Sequence, residues 1–197
     1  MTGISVRDRI VDAALDLAER RSWEALRLHD VAVELDISLD DVRRHFREKE
    51  ELVDAWFDRA DTAMLGVAAK PDVAALPPRS RIHRLLMAWF AALAAHKRVT
   101  RQMLLNKLEP GHIHYQITGL LRISRTVQWW REAANRDAVL PRRAIEEAVL
   151  TGIYLTTFGR WMMDDADNTG PTAALLDNLL AGAERLERGP IFGRTLP

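Results

Sequence analysis

Cysteine is absent from this 197-residue chain, which excludes disulfides, thiolate nucleophiles and cysteine-built zinc sites. No run of 18 or more apolar residues occurs, so neither a membrane-spanning helix nor integral membrane association is expected. The opening MTGISVRDRI lacks the basic-then-apolar order of a signal peptide, which points to the cytoplasm. Also missing are G-x-S-x-G, G-x-G-x-x-G, a phosphate loop, H-E-x-x-H and any other histidine pair at i, i+4. The expectation is a protein that binds rather than catalyses, with no cofactor and no metal.

Net charge is lacking too, with 28 Lys/Arg against 28 Asp/Glu. The balance is uneven along the chain: residues 1–65 carry 10 Lys/Arg and 16 Asp/Glu, so the N-terminal third is acidic and the remainder basic. Contact with a polyanion at the acidic end would have to rest on a local patch. Since 48% of the residues are hydrophobic, the chain can bury a core and disorder is not expected.

What is present is helical periodicity. Ile10, Val11, Ala14, Leu15 and Ala18 recur at 3-and-4 spacing and predict a helix over Val6 to Arg20. LHDVAVEL predicts a two-turn helix, closed by Asp36. Ser38 then stands as an N-cap, with Asp41 three residues on to complete a capping box and Leu39, Val42 and Phe46 as a short apolar stripe. Two short helices across a tight turn read as helix-turn-helix. A longer helix starts near Lys49, carrying Leu52, Val53, Trp56, Phe57, Ala60 and Met64, and KPDVAALPP ends it with three prolines. Further helices are predicted near 79–95, 98–107, 113–135, 141–163 and 171–187, with no strand. The fold class is all-α: a helix-turn-helix domain over 1–50, a linking helix over about 49–69, and a larger helical domain over 70–197.

The stretch RIVDAALDLAERRSWEALRLHDVAVELDISLDDVRRHFREKEEL resembles the N-terminal region of TetR-type transcriptional regulators. Arg9, Ile10, Ala13, Ala14, Leu17, Val31, Ala32, Ile37, Ser38, Phe46, Lys49, Glu50 and Leu52 carry the match. The resemblance implies a TetR-type architecture: a three-helix head that binds operator DNA, and a C-terminal part that binds a small hydrophobic effector and pairs into a homodimer. It implies a DNA-contacting set of Arg27, Ser38, Asp41, Arg43, Arg44, His45 and Lys49. The chain departs from the family pattern at Asp36 (usually Gly), Asp40 (Gly or small), Asp41 (Thr or Ser) and Arg43 (Tyr). The two adjacent carboxylates have two readings: they favour the dipole of a helix's first turn, or Asp41 accepts a hydrogen bond from a cytosine amino group.

The C-terminal AIEEAVLTGIYLTTFGRWMMDDADNTGPTAALLDNLLAGAERL is similar to the TetR-fold accessory proteins of ubiquinone biosynthesis, which bind isoprenoid lipids. That similarity implies, as the alternative, a lipid-binding accessory protein that has lost DNA binding. Under either reading the ligand pocket is expected among Met87, Trp89, Phe90, Met103, Tyr115, Trp129, Trp130, Tyr154, Phe158 and Trp161, since aromatic and thioether side chains make adaptable apolar pockets. Ala148, Gly152, Leu155 and Gly159 share one face of the 141–163 helix, and Leu176, Leu179, Leu180 and Ala183 repeat at 3 and 4 in the last helix. Two such helices from each subunit predict a four-helix dimer interface.

Overall fold

The structure is a computed structural model that describes residues 5–107, 113–136, 142–164 and 169–187, with the side chains of 106–107, 113–121 and 187 outside that description. Its helices are α1 (Val6–Arg20), α2 (Leu28–Leu35), α3 (Leu39–His45), α4 (Glu50–Ala68), α5 (Pro71–Ala74), α6 (Pro78–Leu93), α7 (Lys97–Lys107), α8 (Ile113–Ala133), α9 (Arg142–Met163) and α10 (Gly170–Glu187), and a 3₁₀ turn at Ala94–His96 joins α6 to α7. The described residues contain no strand, and the fold is all-α as the periodicity predicts. One segment differs from expectation: KPDVAALPP holds the short helix α5, with Pro71 at its first position. Proline is tolerated there because the first N–H of a helix has no intrahelical acceptor.

The chain divides into two compact units, residues 1–60 with 93–120 and residues 61–92 with 121–197. In the first unit, Ile10, Val11, Leu15 and Ala18 of α1 are buried together with Val31, Ala32, Val42 and Phe46. Two devices fix the entry into α1 and the exit from α2. The Ser5 hydroxyl accepts the Asp8 N–H at 3.0 Å, capping α1. Asp36 ends α2 with φ 52°, a left-handed conformation that aspartate tolerates better than most residues and that glycine adopts without strain.

Helix α7 belongs to this first unit, although the sequence division would assign it to the larger domain. The reason lies in side chains far apart in sequence. Arg98 pairs with Glu19 at 2.8 Å, the Trp23 N–H donates to Gln102 at 2.7 Å, and the buried Trp56 Nε1–H donates to Thr100 at 2.8 Å. Arg59 of α4 adds a tie to α1 through Asp8 and Asp12.

The second unit is built around aromatic rings and one buried carboxylate. Phe90 stacks on Trp161 at 5.5 Å between centroids, and Trp89 meets Tyr154 edge-on at 5.5 Å. Asp61 is buried and accepts from Trp89 Nε1 at 2.7 Å, Arg122 Nη2 at 2.9 Å and Thr126 Oγ1 at 3.1 Å. A carboxylate taken from water needs such partners, and two helices supply them to Asp61 of α4: α6 through Trp89, and α8 through Arg122 and Thr126. Asp164 closes α9 onto α10, accepting the Thr172 N–H at 3.0 Å and the Thr172 hydroxyl.

Candidate functional site

Helix α3 is presented by a reciprocal cap. The Ser38 hydroxyl accepts the Asp41 N–H at 3.0 Å, and the Asp41 carboxylate accepts the Ser38 N–H at 3.2 Å. Val42 and Phe46 hold the helix to the core, while Leu39, Asp40, Arg43, Arg44 and His45 face outward. Only seven residues long, α3 gains its stability from that cap and from two buried anchors.

Its outward charges are paired. Asp40 accepts from Arg43 Nε at 3.0 Å and Nη2 at 2.8 Å, and its second oxygen lies 2.9 Å from Arg44 Nη2. Arg44 also donates to Asp41 at 3.1 Å, so its guanidinium stands between two carboxylates. The Arg43 hydrogen bonds, then the Arg43 and Arg44 charges, hold the Asp40 carboxyl below its usual range, and the Ser38 hydroxyl does the same for Asp41. The two carboxylates therefore differ in kind. Asp41 is tied to the backbone as a cap, whereas among the described residues both oxygens of Asp40 engage only arginine side chains.

Five of the seven expected DNA-contacting residues, Ser38, Asp41, Arg43, Arg44 and His45, thus come together on α3 and its cap. The other two are engaged elsewhere. Arg27 precedes α2, and its guanidinium is tied to Asp30 at 3.0 Å. Lys49 is half-buried: its ammonium donates to the Trp23 and Glu24 carbonyls and lies 4.9 Å from the Trp23 ring centroid. Burial lowers the Lys49 pKa. The sequence reading missed Arg7, whose guanidinium lies 5.0 Å from the Phe46 ring centroid; no local pattern links residues 39 positions apart.

The ten residues expected around a ligand are dispersed. Trp89, Phe90, Tyr154, Phe158 and Trp161 form one ring-on-ring cluster, with Phe158 5.8 Å from Trp161. Burial, with Asp61 nearby, pushes the Tyr154 phenol well up and keeps it protonated. Trp130 is buried and donates to the Ile82 carbonyl at 2.9 Å. Met103 is buried in the first unit, Met87 is partly exposed, and Trp129 is 47% exposed. The Tyr115 side chain lies outside the described residues. A groove of about 370 Å³ is found elsewhere in the second unit, with Ile82, Ile145, Val149, Leu150 and Leu180 as its apolar lining and Arg79, Arg136, Arg142, Glu146 and Glu184 around them. None of the ten lines it.

Helix α9 has two apolar faces. One is buried through Leu150, Ile153, Tyr154 and Trp161. The other carries Ile145, Ala148, Val149, Gly152, Leu155, Gly159 and Met163 outward, with Leu155 45% and Met163 81% exposed. A Cβ added at Gly152 or Gly159 would meet nothing within 4 Å. On α10, Leu176 and Leu180 are buried, while Leu179 and Ala183 stay half-exposed. The four small or apolar positions expected on α9 therefore share an open face, and Leu176 packs into the unit's own core.

A short capped helix presenting charge from a small helical head, in a chain that is otherwise all helix, defines a helix-turn-helix protein. The crystal structure of the TetR transcriptional regulator from Nitrosomonas europaea ATCC 19718 is 50% identical over 91% of this chain and 98% of that one, with a TM-score of 0.81. The chain belongs to the TetR family of transcriptional regulators. A TetR-like transcriptional regulator from Rhodococcus sp. RHA1, 19% identical over 94% of this chain and 99% of that one, shares the fold with a TM-score of 0.53. No protein-family model matches the chain, and no curated protein does. The likenesses favour a regulator over a lipid-binding accessory protein. Among the described residues, no helix is long and apolar enough to cross a membrane.

Proposed function

We propose that the protein is a cytoplasmic, ligand-responsive repressor that binds operator DNA as a homodimer, with α3 of each subunit in a major groove. The observation that carries this reading is the capped α3, fixed to its head by Val42 and Phe46 and turning Asp40, Arg43, Arg44 and His45 outward. The α9 face through Ala148, Gly152, Leu155 and Gly159, flanked by Leu179 and Ala183 of α10, is the proposed interface, since small residues let a second copy's helix approach closely. The effector is a small hydrophobic molecule taken up at the aromatic cluster. Thr157 supports that placement: it is fully buried on the same helix, and its hydroxyl has no hydrogen-bond partner among the described residues. Ligand then changes operator affinity only as far as it binds the two states of the protein differently.

Selection of bound duplexes from a random pool tests the reading. The expected result is a sharp motif of two inverted half-sites whose centres lie about one helical turn, roughly 34–36 Å, or a multiple of it apart. Recovery of no motif, with no duplex bound even at low salt, overturns it.

A further inference from the structure

The positive charges of the head are unevenly committed. Arg27 is held by Asp30, Arg43 by Asp40, and Arg44 by Asp40 and Asp41, while the Lys49 ammonium faces two carbonyls. Arg7, Arg9 and Arg47 differ. All three are exposed and have no ion-pair partner among the described residues, and of the three it is Arg7 that lies against Phe46 and Arg47 that follows it in the chain. Two carboxylates close in sequence have other partners: Asp8, which also feels the Arg7 charge, accepts from the Ser5 hydroxyl at 2.6 Å and from Arg59 at 3.3 Å, and Glu51 accepts the Arg47 N–H at 2.7 Å.

Arg7 and Arg47 stand at the same place, the C-terminal end of α3. Phe46 is the C-cap residue of that helix and is fully buried; the Arg7 guanidinium lies 5.0 Å from its ring centroid, and Arg47 follows it in the chain. A guanidinium stacked on a ring keeps its edge N–H groups available for a planar anion and is restrained before the anion arrives. An arginine that already holds a carboxylate must exchange one anion for another, whereas an unpaired one gains a partner outright. A seven-residue helix is about 10 Å long and the major groove about 12 Å wide, so side chains just beyond its end reach the flanking backbone.

We propose that Arg7 and Arg47 form a clamp for DNA phosphodiester groups at the C-terminal end of α3. This rests on the operator-binding reading above. The clamp positions the head without reading sequence, because phosphate contacts are the same at every base pair.

The test uses the full-length protein, a 30-base-pair duplex carrying the selected motif and a random-sequence duplex of the same length, with binding followed by fluorescence anisotropy from 50 to 200 mM KCl. In a homodimer, Arg7→Gln with Arg47→Gln removes four phosphate contacts. The slope of log affinity against log salt is then expected to fall by about 3 to 4, which makes the loss of affinity between 50 and 200 mM about a hundredfold smaller. Affinity for both duplexes drops by the same factor, and the preference for the motif is unchanged. Arg7→Lys keeps the charge and is expected to keep the wild-type slope with weaker binding. Because each residue is also changed singly, a fold defect in the double variant, seen in its thermal melt, leaves the slopes of R7Q and R47Q to decide. A wild-type slope in both singles overturns the clamp, and so does loss of preference at a base pair with the slope intact. If the wild type binds neither duplex, the operator reading falls and the clamp with it.

Discussion

Helices α3 and α9 expose faces of opposite chemistry. The outer face of α3 is mostly polar and charged, with Asp40, Arg43 and Arg44 bracketed together, His45 beside them and Leu39 at the start. The outer face of α9 from Ile145 through Gly152 and Leu155 to Met163 carries almost no charge. An exposed apolar stripe of that length is satisfied by another apolar surface, and a charged short helix by a polar partner that offers both hydrogen bonds and counter-charge. The difference teaches that exposure alone says little about a surface, and that what the exposed atoms need from a partner says more.

The comparison can be broken most severely at α9. Leu155→Glu places a charge in the middle of the proposed interface without disturbing the subunit, since the side chain is already 45% exposed. The expected outcome is a folded monomer by sedimentation. Operator affinity should fall by two to four orders of magnitude, on the order of 10²–10⁴, because the two heads no longer bind as one unit. A dimer that persists would show that the apolar face serves something else.

A smaller effect is expected at Asp40, where charge is removed from α3 without touching the cap. Asp40→Ala frees Arg43 and leaves Arg44 with Asp41 alone, so affinity for a random-sequence duplex should rise about tenfold at 50 mM salt and by less at 200 mM. The readout is anisotropy on that duplex beside a thermal melt, which is expected to change little because Asp40 bonds no backbone group. An unchanged affinity would mean that the bracketed arginines do not face DNA.

The smallest effect is a pH dependence at Asp41. The Ser38 hydroxyl holds the Asp41 carboxyl below its ordinary value, so its folded pKa lies under the unfolded one of about 3.9. Its stabilisation is fully present above the unfolded value and is lost as pH falls through the folded one. Melting temperatures of wild type and Asp41→Asn should therefore differ most near neutral pH and converge below about pH 4. A constant gap down to pH 3 would place the stabilisation outside this carboxylate.

Much of the architecture was legible in the sequence because its determinants are local. The Ser38 and Asp41 cap is a three-residue spacing, Pro171 stands in the first turn of α10, and the open face of α9 is readable at 3-and-4 intervals through Ala148, Gly152, Leu155 and Gly159. The pairing of Arg43 and Arg44 with Asp40 is equally local, three and four positions along one helix, but the sequence reading assigns these arginines to DNA and does not anticipate it.

What only the tertiary structure decided involves partners far apart in the chain. Lys49 turns to carbonyls 26 and 25 residues away, so a cation that the family resemblance assigns to DNA holds the protein's own backbone. Arg7 meets Phe46 across two helices, and α7 joins α1 through Arg98 and Glu19, 79 residues apart. The aromatic residues of α6 and α9 close on one another as a ring cluster, while the groove forms at other residues. Periodicity records which face of a helix is apolar. It does not record which face of which other helix will meet it, because that depends on packing, burial and hydrogen-bond satisfaction among groups brought together only when the chain folds.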